Sequence, residues 1–250
     1  MNRNMWKKAV LKTAGISILA VLFYTSCDDN GVKVVTPEVT TFVDGRDGKT
    51  YKKVKIGSQI WMAENLRYEA EYSVCYDGIT HGSWGHWNDP EGACEEFGRL
   101  YDWQTAMDYR TSSDAVPSGV EGVCPVGWHI PSDAEWQTLI DYVEPNAGTK
   151  LKSREWHSEG NGPGGVRAPD GTDKYRFSAL PGGYYDYNGS NVAGVAGFAH
   201  LGWNGLWWSA TETEGNEKQA WLREIAGAGV NVVRLPFDKH HFLSVRCVHD

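Results

Sequence analysis

The sequence predicts an α+β fold of short strands, two short helices and long loops, and three observations predict it. In the stretch Cys124 to Val143, Ser132 is followed three residues later by Glu135. That spacing is a capping box, in which each side chain reaches a backbone N–H that the first helical turn leaves unpaired. Trp136, Leu139, Ile140 and Val143 then recur at i, i+3, i+4 and i+7, placing one apolar stripe on one helix face. From Phe177 onward, short apolar and aromatic runs alternate with Gly-containing turns, the pattern of a β region. Finally, 12 Trp, 12 Tyr and 29 Gly join large flat side chains to permissive backbone, which suits loops and short strands better than long helices. A hydrophobic content of 41% over 250 residues is ample for a core.

The formal charge is -8, but Arg3, Lys7, Lys8 and Lys12 all stand before residue 27 with no acid among them, which leaves 20 basic against 32 acidic groups and a charge of -12 beyond it. Such a surface repels phosphate backbones, so nucleic acid is excluded as a partner.

Residues 1 to 26 open basic, run apolar from Ala14 to Phe23 and close on Tyr24-Thr25-Ser26, the order of a secretory signal that is short for a membrane span. Ser26 directly before Cys27 resembles the lipobox of bacterial lipoproteins, in which the cysteine is acylated and becomes the new N-terminus. Tyr24 stands where that motif usually has an aliphatic residue, so ordinary cleavage leaving a free Cys27 is the alternative. Asp28-Asp29 resembles the export tag of surface lipoproteins in some Gram-negative groups, which implies an outer-membrane, surface-exposed position. Residues 27 to 40 are polar and aperiodic, with Gly31 and Pro37, and read as a flexible tether ahead of a single domain over residues 41 to 250.

Within that domain, Tyr51 to Ile56 and Gln59 to Met62 are joined by Gly57-Ser58 and read as a β-hairpin. Asp44 and Asp47 with their glycines read as turn residues, because the remaining ligands of an EF-type calcium loop are absent. Residues 72 to 94 hold Cys75, Cys94 and several glycines and read as a loop in need of a staple. A short helix is expected from Asp102 to Tyr109, an exposed loop over residues 111–122, a long loop rich in Gly and charge over residues 148–172, and a short strand ahead of the central helix. Strands are expected at Phe177–Leu180, Gly205–Thr211, Gln219–Ile225, Val230–Pro236 and Leu243–Val248, with a turn at Pro181-Gly182-Gly183. In the last strand Leu243, Val245 and Cys247 share one face while Ser244 and Arg246 take the other, a half-buried pattern. Adjacent Trp207 and Trp208 must point to opposite sides.

Several of these stretches carry a resemblance. Asp47-Gly48-Lys49-Thr50-Tyr51, the run Val54 to Leu66, Gly98 to Trp103 with Ala106-Met107, Cys124 to Leu139, Phe177 to Gly183, Trp207 to Thr211 and Ser244 to Val248 come in order and resemble the Fibrobacter succinogenes major paralogous domain family. The resemblance covers about residues 41 to 250. It implies a secreted or lipid-anchored bacterial domain similar in fold to C-type lectins and to the formylglycine-generating enzyme, disulfide-stapled and without an established activity.

Four of the five cysteines lie in the exported domain with no Cys-x-x-Cys, which reads as bridges rather than a redox or metal site. Three pairings are possible. Cys75 with Cys94 closes the glycine-rich loop, and Cys124 with Cys247 ties the central helix region to the last strand, as the long bridge of C-type-lectin-like folds does; each would contribute about 3 to 5 kcal/mol. Trp87-Asn88-Asp89 and Glu144-Pro145-Asn146 match the calcium and sugar motifs of C-type lectins letter for letter, but in reversed order, so neither a metal nor a cofactor is predicted. Formylglycine-type chemistry needs a cysteine pair near the cleft, and Cys247 is alone in the C-terminal half. Only Asp238, His240 and His241 form a local polar cluster, read as a solvated loop, and they carry the alternative of an enzyme with changed chemistry.

Aromatic side chains remain. Tyr184, Tyr185, Tyr187, Trp203, Trp207, Trp208 and Trp221 crowd the C-terminal half beside Gly-rich loops, more than a core of this size needs. Tyr185, Tyr187 and Trp203 are expected to be exposed and close together, with Trp207 or Trp208 beneath them. The functional expectation is a non-catalytic surface lipoprotein that binds a polysaccharide or another surface component and meets the membrane through its lipid alone; a purely structural envelope protein is the other alternative.

Overall fold

The computed structural model describes residues 25–27, 33–76, 90–156, 169–189 and 196–250. The expected signal segment falls outside them as far as residue 24, as does Trp87-Asn88-Asp89. The chain divides into two units, Met1–Val35 and Thr36–Asp250. In the first, β1 (Thr25–Cys27) pairs antiparallel with β2 (Lys33–Val35).

The second unit opens on three antiparallel neighbours, β3 (Val39–Val43), β4 (Thr50–Ile56) and β5 (Gln59–Met62). The expected hairpin is there, and β3 overlaps the last residues assigned to the tether. Val54 and Ile56 share one face of β4 and pack in the cluster with Trp61 and Trp136, while Tyr51 points to the other side and packs with Met62 and Tyr101. Between β3 and β4 the carboxylate of Asp44 is buried and taken by Arg46, with Nη2 to Oδ2 at 2.7 Å. Its role is to hold a turn, as the sequence suggests.

There follow β6 (Ser73–Val74), α1 (Pro90–Phe97), β7 (Leu100–Tyr101), α2 (Trp103–Ala106), β8 (Trp128–His129), α3 (Asp133–Val143) and α4 (Ala147–Leu151). The capping box of α3 is formed: the Glu135 N–H donates to Ser132 Oγ at 3.1 Å and the Ser132 N–H to Glu135 Oε2 at 3.0 Å. A cap of this kind stabilises by about 1 kcal/mol. Trp136, Leu139, Ile140 and Val143 are all buried. Helices α1 and α4 are additions to the two expected. One begins at Pro90, a residue suited to the first helical position. The other is a single turn whose Gly148 lies against the backbone, where a Cβ would come within 2.6 Å of Asn231 O.

The remaining strands are β9 (Gly182–Asp186), β10 (Gly197–Leu201), β11 (Gly205–Thr213), β12 (Asn216–Ile225), β13 (Val233–Asp238), β14 (Leu243–Ser244) and β15 (Val248–His249). One sheet runs β3-β4-β5-β15-β8; the other runs β10-β9-β11-β14-β7-β6, with β12 pairing β11 and carrying β13 outside it. The fold is therefore mostly β, with a few short helices and two disulfides.

Two strand expectations need correction. Phe177–Leu180 is not a strand, since only Ala179 bridges to Lys152, and the expected turn at Gly182-Gly183 instead opens β9. Gly183 has φ +61 and its missing Cβ would fall 2.3 Å from Ala199 O, so glycine serves close strand approach there. The segment Leu243–Val248 is not half-buried; all six residues are buried, and it splits into β14 in one sheet and β15 in the other. Its polar face meets a second packed layer instead of water.

That layering also accounts for Trp207 and Trp208. They do point to opposite sides of β11, and both sides are core: Trp208 packs with Met62, Tyr101 and Trp103, Trp207 with Trp61, Trp136 and Phe177. At the junction lies Asn65, whose Oδ1 accepts from Trp207 Nε1 at 2.8 Å and from Arg246 Nε and Nη2 at 3.1 and 2.8 Å. Its Nδ2 donates to Phe97 O at 2.8 Å. Cys124 bridges to Cys247 with Cα atoms 6.0 Å apart, and Cys75 to Cys94 at 5.5 Å, the pairing expected. Among the described residues no helix is long and apolar enough to cross a membrane.

Candidate functional site

The aromatic surface of the C-terminal half is built on β9 and the loop from Asp238 to Phe242. Tyr185 bridges Phe242 through paired backbone bonds, Tyr185 N–H to Phe242 O at 2.9 Å and the reverse at 3.0 Å, which fixes the loop to the strand. Alternation along β9 then sends successive rings to different surroundings. Tyr184 is half-buried with ring contacts to Phe237, His200 and His241 at 5.4 to 5.9 Å. Tyr185 is half-buried between Phe198 and Phe242, at 5.0 and 5.6 Å. Tyr187, beyond the strand end, is 58% exposed, its ring lying near-parallel to that of exposed His240 at 6.3 Å.

The local cluster Asp238, His240 and His241 divides into two environments. His240 faces solvent, with Nδ1 2.8 Å from Asp238 Oδ1. Partial burial favours the neutral Asp238 acid, yet the two hydrogen bonds from His240 outweigh it and hold the carboxyl below its ordinary range. His241 does not belong to a solvated loop, as the sequence reading had it. Its side chain is buried against Tyr184 and Phe237, 3.4 Å from the buried Asp186 carboxylate. The Tyr187 N–H donates to His241 Nδ1 at 3.3 Å, the same nitrogen that lies 3.4 Å from Asp186 Oδ1. Burial lowers the His241 pKa against the opposing pull of Asp186 and Asp238. His241 thus supports the Tyr187 backbone from below, and His240 stands beside the ring at the surface.

Trp203 is not part of this surface. It follows β10 at the end where Leu201 pairs with Gly182, whereas Tyr187 follows Asp186, which pairs with Gly197. Four strand residues separate the two ends, about 13 Å. Trp203 is half-buried over Gly227, where a Cβ would sit 2.7 Å from the indole, and it packs against the cluster holding Trp136 and Trp207. The expectation that Tyr185, Tyr187 and Trp203 stand exposed together is corrected: Tyr185 is half-buried between two phenylalanines, and Trp203 is half-buried because its ring covers Gly227 in the loop between β12 and β13.

A buried histidine elsewhere belongs to the fold. His129 bridges Glu135 Oε1 at 2.8 Å and Asp250 Oδ1 at 2.5 Å. Burial by itself would lower the His129 pKa; the two carboxylates reverse that and raise it. Glu135 is already committed to the cap of α3, so this chain of contacts joins β8, α3 and the last strand. Among the described residues no group of three or more His, Cys, Asp or Glu is arranged to hold a metal ion.

The sequence reading missed a cleft of about 330 Å³ lined by Arg46, Tyr68, Tyr72, Thr105, Asp108 and Tyr109 among others. These residues come from four separate stretches of chain, Thr105 from helix α2 and the others from irregular segments, and no spacing in the sequence relates them.

This mostly-β, doubly bridged domain is of the kind the motif blocks describe. The chain belongs to the Fibrobacter succinogenes major domain family, whose model matches residues 54–249. No curated protein and no solved structure matches it. The blocks that carry the family resemblance meet in the interior: Asn65, Phe177, Trp207 and Arg246 are all buried around one hydrogen-bonded junction. The motifs therefore describe architecture, and the surface aromatics lie outside them.

Proposed function

We propose that the chain is a non-catalytic binding module of the bacterial cell surface, held at the outer membrane by a lipid on Cys27, with a C-type-lectin-like arrangement and a polysaccharide as its ligand. The observation that carries the reading is the exposed Tyr187 ring lying near-parallel to His240 on a support that is itself buried and hydrogen-bonded. Flat rings with few rotatable bonds bury the apolar C–H faces of sugars at little ordering cost, and the adjacent Asp238 carboxylate can accept hydroxyl protons. The long Cys124–Cys247 bridge, which fastens the segment before α3 to the last strands, supports the lectin-like reading. The excess of acidic groups favours a neutral or cationic ligand over an acidic one.

Two measurements test this. Tyr187→Ala should weaken retention of the protein in affinity gels containing a bound polysaccharide by about tenfold, one lost aromatic contact, with the melting temperature within about 2 °C of the parent. Unchanged retention, or a large fall in melting temperature, would remove Tyr187 from the site. For the anchor, Cys27→Ser should move the protein from the membrane to the soluble fraction. Unaltered partition together with no acyl mass on the parent protein would rule lipidation out.

A further inference from the structure

The cleft walled by Tyr68, Tyr72 and Tyr109 has the features of a built site. Beyond Met107, the C-cap of helix α2, stand two consecutive residues with positive φ, Asp108 at φ 48 and Tyr109 at φ 57. Such a conformation is uncommon for side chains of this size and collects where function holds it in place. Tyr109 is 67% exposed there, and Tyr72, which lines the same cleft, is 55% exposed. The base is rigid. Arg46 lies 3.8 Å from the centre of the Tyr68 ring, donates from Nη1 to Val123 O at 2.9 Å and is paired with buried Asp44 at 2.7 Å. With its charge matched by Asp44, the lining acids are Glu71 and Asp108, the latter 3.7 Å from Arg110 Nε, and they leave the cleft weakly negative.

Within the lining, Thr105 is 9% exposed and its Oγ1 has no hydrogen-bond partner. A buried hydroxyl without a partner is destabilising, and few native groups are left in that state. The Thr105 backbone N–H is satisfied by Asp102 Oδ1 at 2.7 Å, so helix capping does not explain the side chain.

We propose that this cleft is a second binding site, which takes one ring of a neutral saccharide, with the tyrosines against its C–H faces and the Thr105 hydroxyl and Asp108 carboxylate on its hydroxyls. The volume, 330 Å³, lies at the small end for ligand sites and suits a ring, not a folded peptide. Aromatic walls, a neutralised cation and unpaired hydroxyl chemistry favour a polyol over an anion, and the rim acids oppose a uronic acid. The ligand class rests on the polysaccharide reading above; the location does not depend on Tyr187.

The test uses the intact chain in detergent with threonine methyl groups labelled for NMR, the Thr105 signal being identified by its loss in Thr105→Ser. Cellohexaose, xylohexaose and mannohexaose are the neutral probes, with trigalacturonate and trilysine as charged ones. Saturable movement of the Thr105 signal by at least one neutral probe is expected. The Tyr72→Ala, Tyr109→Ala double variant should weaken that binding by about thirtyfold and Thr105→Val by about fivefold. Thr105→Val should also leave the melting temperature unchanged or higher, because it removes an unpaired group; a merely structural threonine would show the reverse. Tyr187→Ala should leave the Thr105 response intact. If no neutral probe moves Thr105, if only trilysine or trigalacturonate does, or if the tyrosine variants bind like the parent, the cleft is not a sugar site. Polysaccharide retention that survives the cleft variants and fails with Tyr187→Ala would overturn the cleft while sparing the proposed function.

Discussion

Asn65→Ala is expected to lower the melting temperature by about 10 °C, from a loss of about 3 to 5 kcal/mol at roughly 2 to 4 °C per kcal/mol for a domain of this size. The size of the effect comes from Arg246, which is fully buried. Burial pushes its guanidinium down to about 9, a shift that Glu64 and Asp173 oppose only at a distance. Its hydrogen-bond acceptors are neutral: Asn65 Oδ1, Phe177 O and Ser178 O, with the Phe177 ring 4.3 Å from the guanidinium carbon. Removing Asn65 takes away the acceptor that two of the guanidinium nitrogens share, and orphans Trp207 Nε1 at the same stroke. A buried charge that loses its partners is costly in a way that a surface ion pair is not. Asn65→Asp is the informative control. It restores an acceptor and adds a charge opposite Arg246 while giving up the Nδ2 bonds to Phe97 O and Ser244 Oγ, so it should fall between Ala and the parent. Thermal unfolding of both variants decides the matter, and a shift of less than about 2 °C for Asn65→Ala would mean that Arg246 finds other acceptors.

The same junction shows what the sequence could and could not reveal. The capping box at Ser132 and Glu135, the stripe on α3 and the hairpin around Gly57 are local: each depends on residues within a few positions, and each is found. Asn65 and Arg246 are 181 positions apart, and nothing in either neighbourhood specifies the other. Period-two reading failed for Leu243–Val248 because it assumes water on one side of the strand, whereas this segment lies between two packed layers. Trp203 was misread for a related reason. An aromatic in a Gly-rich turn has the same local signature whether its face meets solvent or, as here, a glycine 24 positions further on at Gly227. Of the expected ligand residues, Tyr187 alone is strongly exposed. The cleft was invisible because its exposed tyrosines, Tyr72 and Tyr109, belong to separate stretches of chain that only the fold brings to one surface.

The two disulfides are expected to differ in what their removal does. Cys124 and Cys247 close a loop with a sequence separation of 123, Cys75 and Cys94 one of 19. On the chain-entropy account the long bridge stabilises by about 5 kcal/mol and the short one by about 3. The long one also holds more of the fold in place. Both of its cysteines are fully buried in the cluster with Met62 and Tyr101, and Cys247 O accepts from the Met62 N–H at 3.0 Å, so the bridge anchors the crossing from β14 to β15. The Cys124→Ala, Cys247→Ala pair should therefore lower the melting temperature by about 10 to 20 °C, and the Cys75→Ala, Cys94→Ala pair by about 6 to 12 °C. Reduction should also proceed in order. Cys75 and Cys94 are only half-buried and should open under mild dithiothreitol with the domain still folded, whereas Cys124–Cys247 should resist until the core unfolds. Mass mapping of alkylated cysteines along a dithiothreitol series, with unfolding followed in parallel, reads both points. Equal losses from the two variants would mean that the loop argument does not govern here, and early alkylation of Cys247 in a folded domain would show that the crossing between the sheets opens without the core.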